Sequence, residues 1–159
     1  MPISLVRVDD RLIHGQVVMS WIRYINCNAI KIIDDQVASD EFMCSLLSSI
    51  APAGIKLEIV DIKKGAEEYS SWVESEANTM ILVKTPLTLM SLESLGVQFE
   101  SINIGGISIS GDRKKFHKNI ALTVPERNYL LEKVLQGVEV YYQMITSERR
   151  YLFTEKTFK

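Results

Sequence analysis

Four runs in this chain, Ile3–Val8, Ala29–Ile33, Thr79–Val83 and Ser101–Ile104, read as continuous apolar stretches rather than alternating ones. Strands carry that pattern when helices cover both faces of their sheet. The segments between them have helical spacing. In Gln16–Asn26 the residues Val17, Val18, Trp21, Ile22 and Ile25 form one apolar stripe. A helix opening at Ser39-Asp40-Glu41, with Ser39 as its N-cap, is expected to turn Phe42, Met43, Leu46, Leu47 and Ile50 inward. Strand and helix alternating over short connections predict a three-layer α/β/α arrangement. Its sheet is expected to be predominantly parallel, of about six or seven strands, with 1–159 a single domain.

Turn and cap residues mark the remaining elements. Pro52-Ala53-Gly54 is a turn before a strand over Ile55–Ile62. A more polar helix over Lys64–Ser75 carries Tyr69 and Trp72. Thr85-Pro86 reads as the N-cap and first residue of a helix that Gly96 ends. Ile120–Val124 is a sixth strand, Pro125 starts a helix that Gly137 stops, and Val138–Ile145 is a seventh strand. The run Asp112–Lys118 reads as a solvated surface loop, and Glu148–Lys159 as a tail, either docked or frayed.

Charge and composition remove several classes. The formal net charge is −2, whereas nucleic-acid-binding domains ordinarily carry a basic excess. Cys27 and Cys44 lack metal-ligand spacing and fit reduced thiols. No stretch approaches the ~18 apolar residues of a membrane span, so the chain is expected in the cytoplasm, meeting a membrane only through partners. Neither the phosphate-binding loop of nucleotidases, nor a dinucleotide fingerprint, nor a nucleophile elbow occurs. His14 and His117 are too far apart in sequence to suggest a metal site.

In an open parallel sheet, ligands bind beyond the carboxyl ends of the strands. That edge would gather Asp9, Asp10, Arg11 and His14 after the first strand and Asp34 and Asp35 after the second. It would add Lys84 after the fourth and Gly105-Gly106 after the fifth. Each has an ordinary explanation: acids that cap backbone N–H groups, glycines in a tight turn, a histidine in an exposed loop. His14 stands out because it neighbours Arg11 and directly precedes a helix whose first N–H groups favour an anion. An imidazole so placed suits covalent phosphoryl transfer, with Arg11 and the helix N-terminus neutralising the equatorial oxygens. Asp10 would orient Arg11 or hydrogen-bond the ring. Two other readings stay open on the residues alone. One is a regulatory α/β module that holds an anion non-covalently on His14 and Arg11. The other is a hydrolase with His14 as general base.

The stretch R-V-D-D-R-L-I-H-G-Q-V, from Arg7 to Val17, closely resembles a known signature. It is that of the IIB components of the mannose/fructose/sorbose family of the bacterial phosphoenolpyruvate-dependent sugar phosphotransferase system. The likeness continues at Trp21, I-I-D-D-Q-V-A-S-D, Ala51-Pro52, Lys84-Thr85-Pro86 and I-N-I-G-G-I, so it spans essentially the whole chain. It implies parallel strands with helices on both sides and an active loop after the first strand. It implies that His14 is phosphorylated, taking the group from a phosphohistidine of a IIA protein or domain. The group would pass to a sugar, a hexose or amino sugar, entering through the IIC and IID membrane components. The chain would then be a phosphohistidine–sugar phosphotransferase needing no cofactor, cytoplasmic and held at the membrane by IIC and IID. Arg11 matches the loop arginine that contacts the phosphoryl group, and Asp10 a loop acid. Gly15, Gln16, Asp35, Lys84, Gly105 and Gly106 are expected around the phosphate. After the double glycine the chain departs from the common pattern, reading Ile107-Ser108-Ile109-Ser110-Gly111-Asp112-Arg113-Lys114. Partner or sugar specificity is expected to differ there.

Overall fold

A computed structural model describes residues 3–159. The chain begins β1 (Ile3–Val8), α1 (Gly15–Ile25), β2 (Ala29–Ile33), α2 (Asp35–Ala38), α3 (Glu41–Ile50), β3 (Lys56–Val60) and α4 (Ile62–Glu74). It continues β4 (Thr79–Val83), α5 (Pro86–Ser94), β5 (Ser101–Ile104), β6 (Lys114–His117) and β7 (Ile120–Leu122). It closes with α6 (Val124–Leu135), β8 (Glu139–Tyr142), β9 (Tyr151–Leu152) and a 3-10 turn, Glu155–Phe158. Seven strands make one sheet in the order β3-β2-β4-β1-β5-β8-β9, while β6 and β7 form a separate antiparallel ribbon. Within the large sheet every pairing is parallel except β8 with β9.

Side chains alternate across this sheet, and each face is covered. Val6 and Val8 of β1 pack with Trp72 of α4, Leu89 and Leu92 of α5 and Leu130 of α6. Leu5 points the other way, into a cluster with Trp21 and Ile22 of α1 and Leu47 of α3. This is the three-layer arrangement expected from the continuous apolar runs. Gly65 lets α4 lie close to β2, because a Cβ there would sit 3.1 Å from Ile33 Cγ2. The helix starts are set by side-chain caps: Asp61 for α4, Thr85 for α5, and a reciprocal Thr123–Glu126 capping box for α6.

Several expectations are corrected. The cap of α3 is Asp40 rather than Ser39, because Asp34 already caps the short α2 that ends at Ala38. Leu47 alone of the five apolar α3 positions is fully buried; Phe42 is 74% exposed, and Leu46 and Ile50 also face solvent. Helical spacing sets which residues share a stripe, not how wide a stripe the neighbours cover. The charged run after Asp112 is not a loop: Lys114–His117 pairs with β7. Ile120–Val124 gives up its last two residues to α6 and its cap, Val138–Ile145 narrows to Glu139–Tyr142, and Ile55–Ile62 yields Asp61 and Ile62 to α4.

The tail is docked. β9 pairs with β8, and Phe153 and Phe158 are both 3% exposed. Phe158 lies against Phe116 at 5.1 Å between ring centroids and against Phe153 at 5.9 Å, edge on. Removing a buried phenylalanine ring typically costs about 3–5 kcal/mol. Phe158→Ala is therefore expected to lower the urea midpoint markedly, whereas Phe42→Ser on the exposed face of α3 should stay within about 0.5 kcal/mol of the parent.

Candidate active site

The chain leaves β1 toward β2 on one side and leaves β5 toward β8 on the other. The two loops therefore part above the β1/β5 pair and open a crevice at the carboxyl edge, where such sheets bind ligands. β1 supplies its floor. Arg7 lies inside the sheet with only 2% of its surface exposed, and Asp9 at the strand's end shows 1%. Burying a charge is costly unless it is paired and fully hydrogen-bonded. Both conditions are met. Arg7 Nη2 donates to Asp9 Oδ2 at 3.0 Å and to the Met144 carbonyl at 3.0 Å. Its Nη1 donates to Asn103 Oδ1 and to the Gln143 carbonyl, and the guanidinium lies 5.4 Å from the Trp21 ring centroid.

Asp9 holds a second arginine. Arg11 Nε donates to Oδ1 at 3.0 Å and Nη2 to Oδ2 at 2.9 Å, a bidentate grip, and the Arg11 N–H also donates to Oδ1. The Gly106 N–H adds a further donor at 3.2 Å. Burial alone would push the Asp9 carboxyl up, but the Arg11 hydrogen bonds and the Arg7 charge outweigh it and hold it below the ordinary carboxylate value. The bond to Asp9 raises Arg11 in turn, and burial lowers Arg7. Gly105 is required by this packing: a Cβ would fall 2.3 Å from Arg7 Nη2 and 2.6 Å from Asp9 Oδ2.

The loop then displays its histidine. Leu12, in the left-handed region at φ 58°, and Ile13 are both buried in the α1 face of the core, which pins the loop from beneath. His14, Gly15 and Gln16 are exposed. His14 stands at the N-cap of α1 and its carbonyl accepts from Val17 and Val18. Its imidazole does not cap the helix, and the first turn holds no acid. Among the described residues the ring makes no hydrogen bond. Gly15 has φ 39° with open space around it, so the backbone conformation, rather than a close neighbour, calls for glycine.

The expected site residues thus fall into two groups. His14, Arg11, Gly15 and Gln16 share the β1 loop; Gly105 and Gly106, directly after the adjacent β5, pack against Arg7 and Arg11 respectively. Lys84 follows β4, the other neighbour of β1. Asp35 lies apart: β4 intervenes between β2 and β1, about 10 Å of sheet, and its Oδ1 accepts from the Ile62 N–H at 2.8 Å, a backbone cap. Asp10 differs from expectation. The carboxylate that orients Arg11 is Asp9; Asp10 turns away to accept from the Ser108 N–H at 2.8 Å and faces Arg113 at 3.7 Å. Arg113 also grips Glu126 through Nε and Nη2, and Glu126 accepts from Thr85. Sequence reasoning passed over Arg7, Asn103, Arg113, Glu126 and Met144. For Arg7 and Asn103 the signal was present: a charged or amide side chain inside an otherwise apolar strand must find a partner.

Two outcomes follow for Asp9. Asp9→Asn should cost about 3–5 kcal/mol, because it strands a buried guanidinium; equilibrium urea unfolding measures it. The pH dependence has a definite sign. A carboxyl depressed below 3.8 contributes its full stability above that pH and loses it as pH falls through the lower, folded-state value. The acid limb of a stability-versus-pH curve should therefore be shallower in Asp9→Asn than in the parent.

The family described as "PTS system sorbose subfamily IIB component" matches residues 3–156. The fructose-specific EIIB component of Bacillus subtilis is 32% identical over 148 residues, 93% of this chain and 91% of that protein. The mannose-specific EIIAB component of Escherichia coli K12 is also 32% identical, over 93% of this chain but 46% of that longer protein. The crystal structure of the IIBSor domain of the sorbose permease from Klebsiella pneumoniae superposes with a TM-score of 0.86 at 31% identity, covering 94% of this chain and 92% of that one. Matched by the family model over residues 3–156 and sharing its fold over nearly its whole length with the sorbose IIB domain, the chain belongs to the sorbose subfamily of phosphotransferase-system IIB components.

Proposed function

We propose that His14 carries a phosphoryl group between a phosphorylated IIA protein or domain and a sugar, a hexose or amino sugar, handled by IIC and IID membrane components. The observation that carries this reading is an exposed imidazole with no hydrogen-bond partner among the described residues, set at the start of a helix without a side-chain cap. Such a ring is free to attack, and the helix's first N–H groups favour the anion that results. The family membership supports it, and the Escherichia coli relative named EIIAB supports a IIA partner. Among the described residues no helix is long and apolar enough to cross a membrane, so contact with membrane components would be made through docking.

In the first step a ring nitrogen of His14 supplies the electron pair for a new P–N bond. The donor's P–N bond breaks, and its pair returns to the donor imidazole. In the second step a sugar hydroxyl oxygen forms the P–O bond, the P–N bond to His14 breaks, and the hydroxyl proton passes to the released imidazole nitrogen. Throughout, charge on the equatorial oxygens needs fixed positive partners. Arg11 is suited to this role: Asp9 clamps Nε and Nη2, while Nη1 makes no hydrogen bond among the described residues and the side chain is 33% exposed. Because Asp9 fixes the guanidinium beforehand, little reorganisation accompanies transfer. Lys84 and the Gly15 and Gln16 N–H groups are the other candidates for contact with the phosphoryl group. Asp10 hydrogen-bonds the Ser108 backbone and acts on Arg11 through its charge alone.

The test uses phosphoenolpyruvate, the two general phosphotransferase proteins and a cognate IIA. The chain should take up an acid-labile phosphoryl group, raising its intact mass by one phosphate, and His14→Ala should take up none. Stable labelling of that variant would sink the assignment, and a parent that never gains mass would favour non-covalent anion binding. Arg11→Gln should slow labelling by about 10²–10³ while unfolding as one cooperative transition. Labelling of that variant at the parent's rate would move the role to Lys84 or to the helix N-terminus.

A further inference from the structure

Beside Arg11 a cleft of about 530 Å³ opens between the connection after β5, the β6–β7 ribbon and Met144. His14 does not line it. Three cations do, Arg11, Lys115 and Lys118, and no carboxylate joins them. Asp9 lies beneath Arg11 but is shared with Arg7, so that trio keeps one net positive charge. Neither lysine has an ion-pair partner among the described residues, whereas Lys31 and Lys133, elsewhere in the fold, are paired with Glu58 and Glu93. Ile107, Ile109 and Met144 add apolar surface to the same lining, and Ile109 is 69% exposed.

The placing of Lys118 is a second, independent observation. It occupies the first position of the two-residue turn between His117 and Ile120, with φ 44°. Turns with a positive φ at that position normally take glycine, and a side chain there is disfavoured by about 1–2 kcal/mol. The sequence thus keeps a long cation at a strained position, on the rim of a cationic cleft, where a glycine would be easier to accommodate. Backbone strain of this kind collects at ligand-binding positions.

We propose that this cleft binds a small phosphate monoester. The phosphate would lie between Lys115, Lys118 and the free Nη1 edge of Arg11, and the organic part on Ile107, Ile109 and Met144. A monoester near pH 7 carries close to two negative charges, matching two lysines that have no ion-pair partner among the described residues and the one net positive charge of the Arg7–Asp9–Arg11 trio. The volume falls in the range of small-molecule sites and far exceeds the needs of inorganic phosphate, and the apolar part of the lining gives the ester's carbon framework a surface. The site touches the proposed phosphoryl centre only through Arg11, so binding does not depend on any chemistry at His14.

Isothermal titration calorimetry of the whole chain tests this without a donor protein, using glucose 6-phosphate, inorganic phosphate and glucose as probes. Glucose 6-phosphate should bind, and more tightly than inorganic phosphate, while glucose gives no heat of binding. Lys118→Gly should weaken glucose 6-phosphate by about tenfold or more, the loss of one charge-assisted contact, and melt no lower than the parent because glycine suits the turn. Lys115→Ala, at an exposed strand position, should show a similar loss. Absence of glucose 6-phosphate binding, inorganic phosphate binding as tightly as the ester, or parental affinity in either folded variant overturns the proposal. Labelling of His14 is a separate measurement, so this site and the phosphoryl-carrier reading can fail independently.

Discussion

A single carboxylate between two guanidinium groups holds the carboxyl edge of this sheet together. Asp9 accepts from Arg7 below and Arg11 above, and Arg7 in turn reaches Asn103 on β5 and the carbonyls of Gln143 and Met144 beyond β8. Three neighbouring strand ends are thereby tied to one buried cation. Charge burial of this kind adds little net stability by itself; what it contributes is position. Gly105 shows how tight the arrangement is, since even a methyl group would collide with both partners of the pair.

The loop above is divided between anchoring and display. Leu12 and Ile13 are sunk into the core, and the next three residues stand in solvent. The same division appears electrostatically: Arg11 gives two nitrogens to Asp9 and keeps the third. Asp10 extends the pattern outward by holding the Ser108 backbone and facing Arg113, which binds Glu126 at the start of α6. The connection after β5 is thus fastened to the β1 loop.

Much of this could be read from the chain. Continuous apolar runs sufficed for the covered parallel sheet, and Thr79–Val83 with its Thr85-Pro86 cap came out as observed because strand pattern and cap chemistry agree there. The histidine loop was legible as a cluster of reactive types at a strand end. What could not be read was partnership. Adjacent acids at positions 9 and 10 look alike in sequence, yet the pleat sends one inward to two arginines and the other outward to a backbone N–H. Lys114–His117 was hidden for a related reason: β6 lies in a two-stranded ribbon outside the main sheet, with its lysines in solvent, so its composition mimics a loop. The exposed Phe42 and Leu46 mark the opposite failure, a stripe wider than the core it faces.

The sheet order also has a consequence for how the protein is made. β1 precedes the other six strands of the sheet in the chain and stands fourth of seven, between β4 and β5. It has no neighbour to pair with until residues 79–83 exist, and Arg7 has no full set of acceptors until Gln143 and Met144 exist. At about 5–20 residues per second, the loop bearing His14 waits many seconds beside an unpaired strand and an unsatisfied guanidinium. A loop made well before its partners is therefore among the last parts of this fold to acquire its working shape, and a nascent chain halted short of residue 144 would have the histidine motif without the frame that aims it.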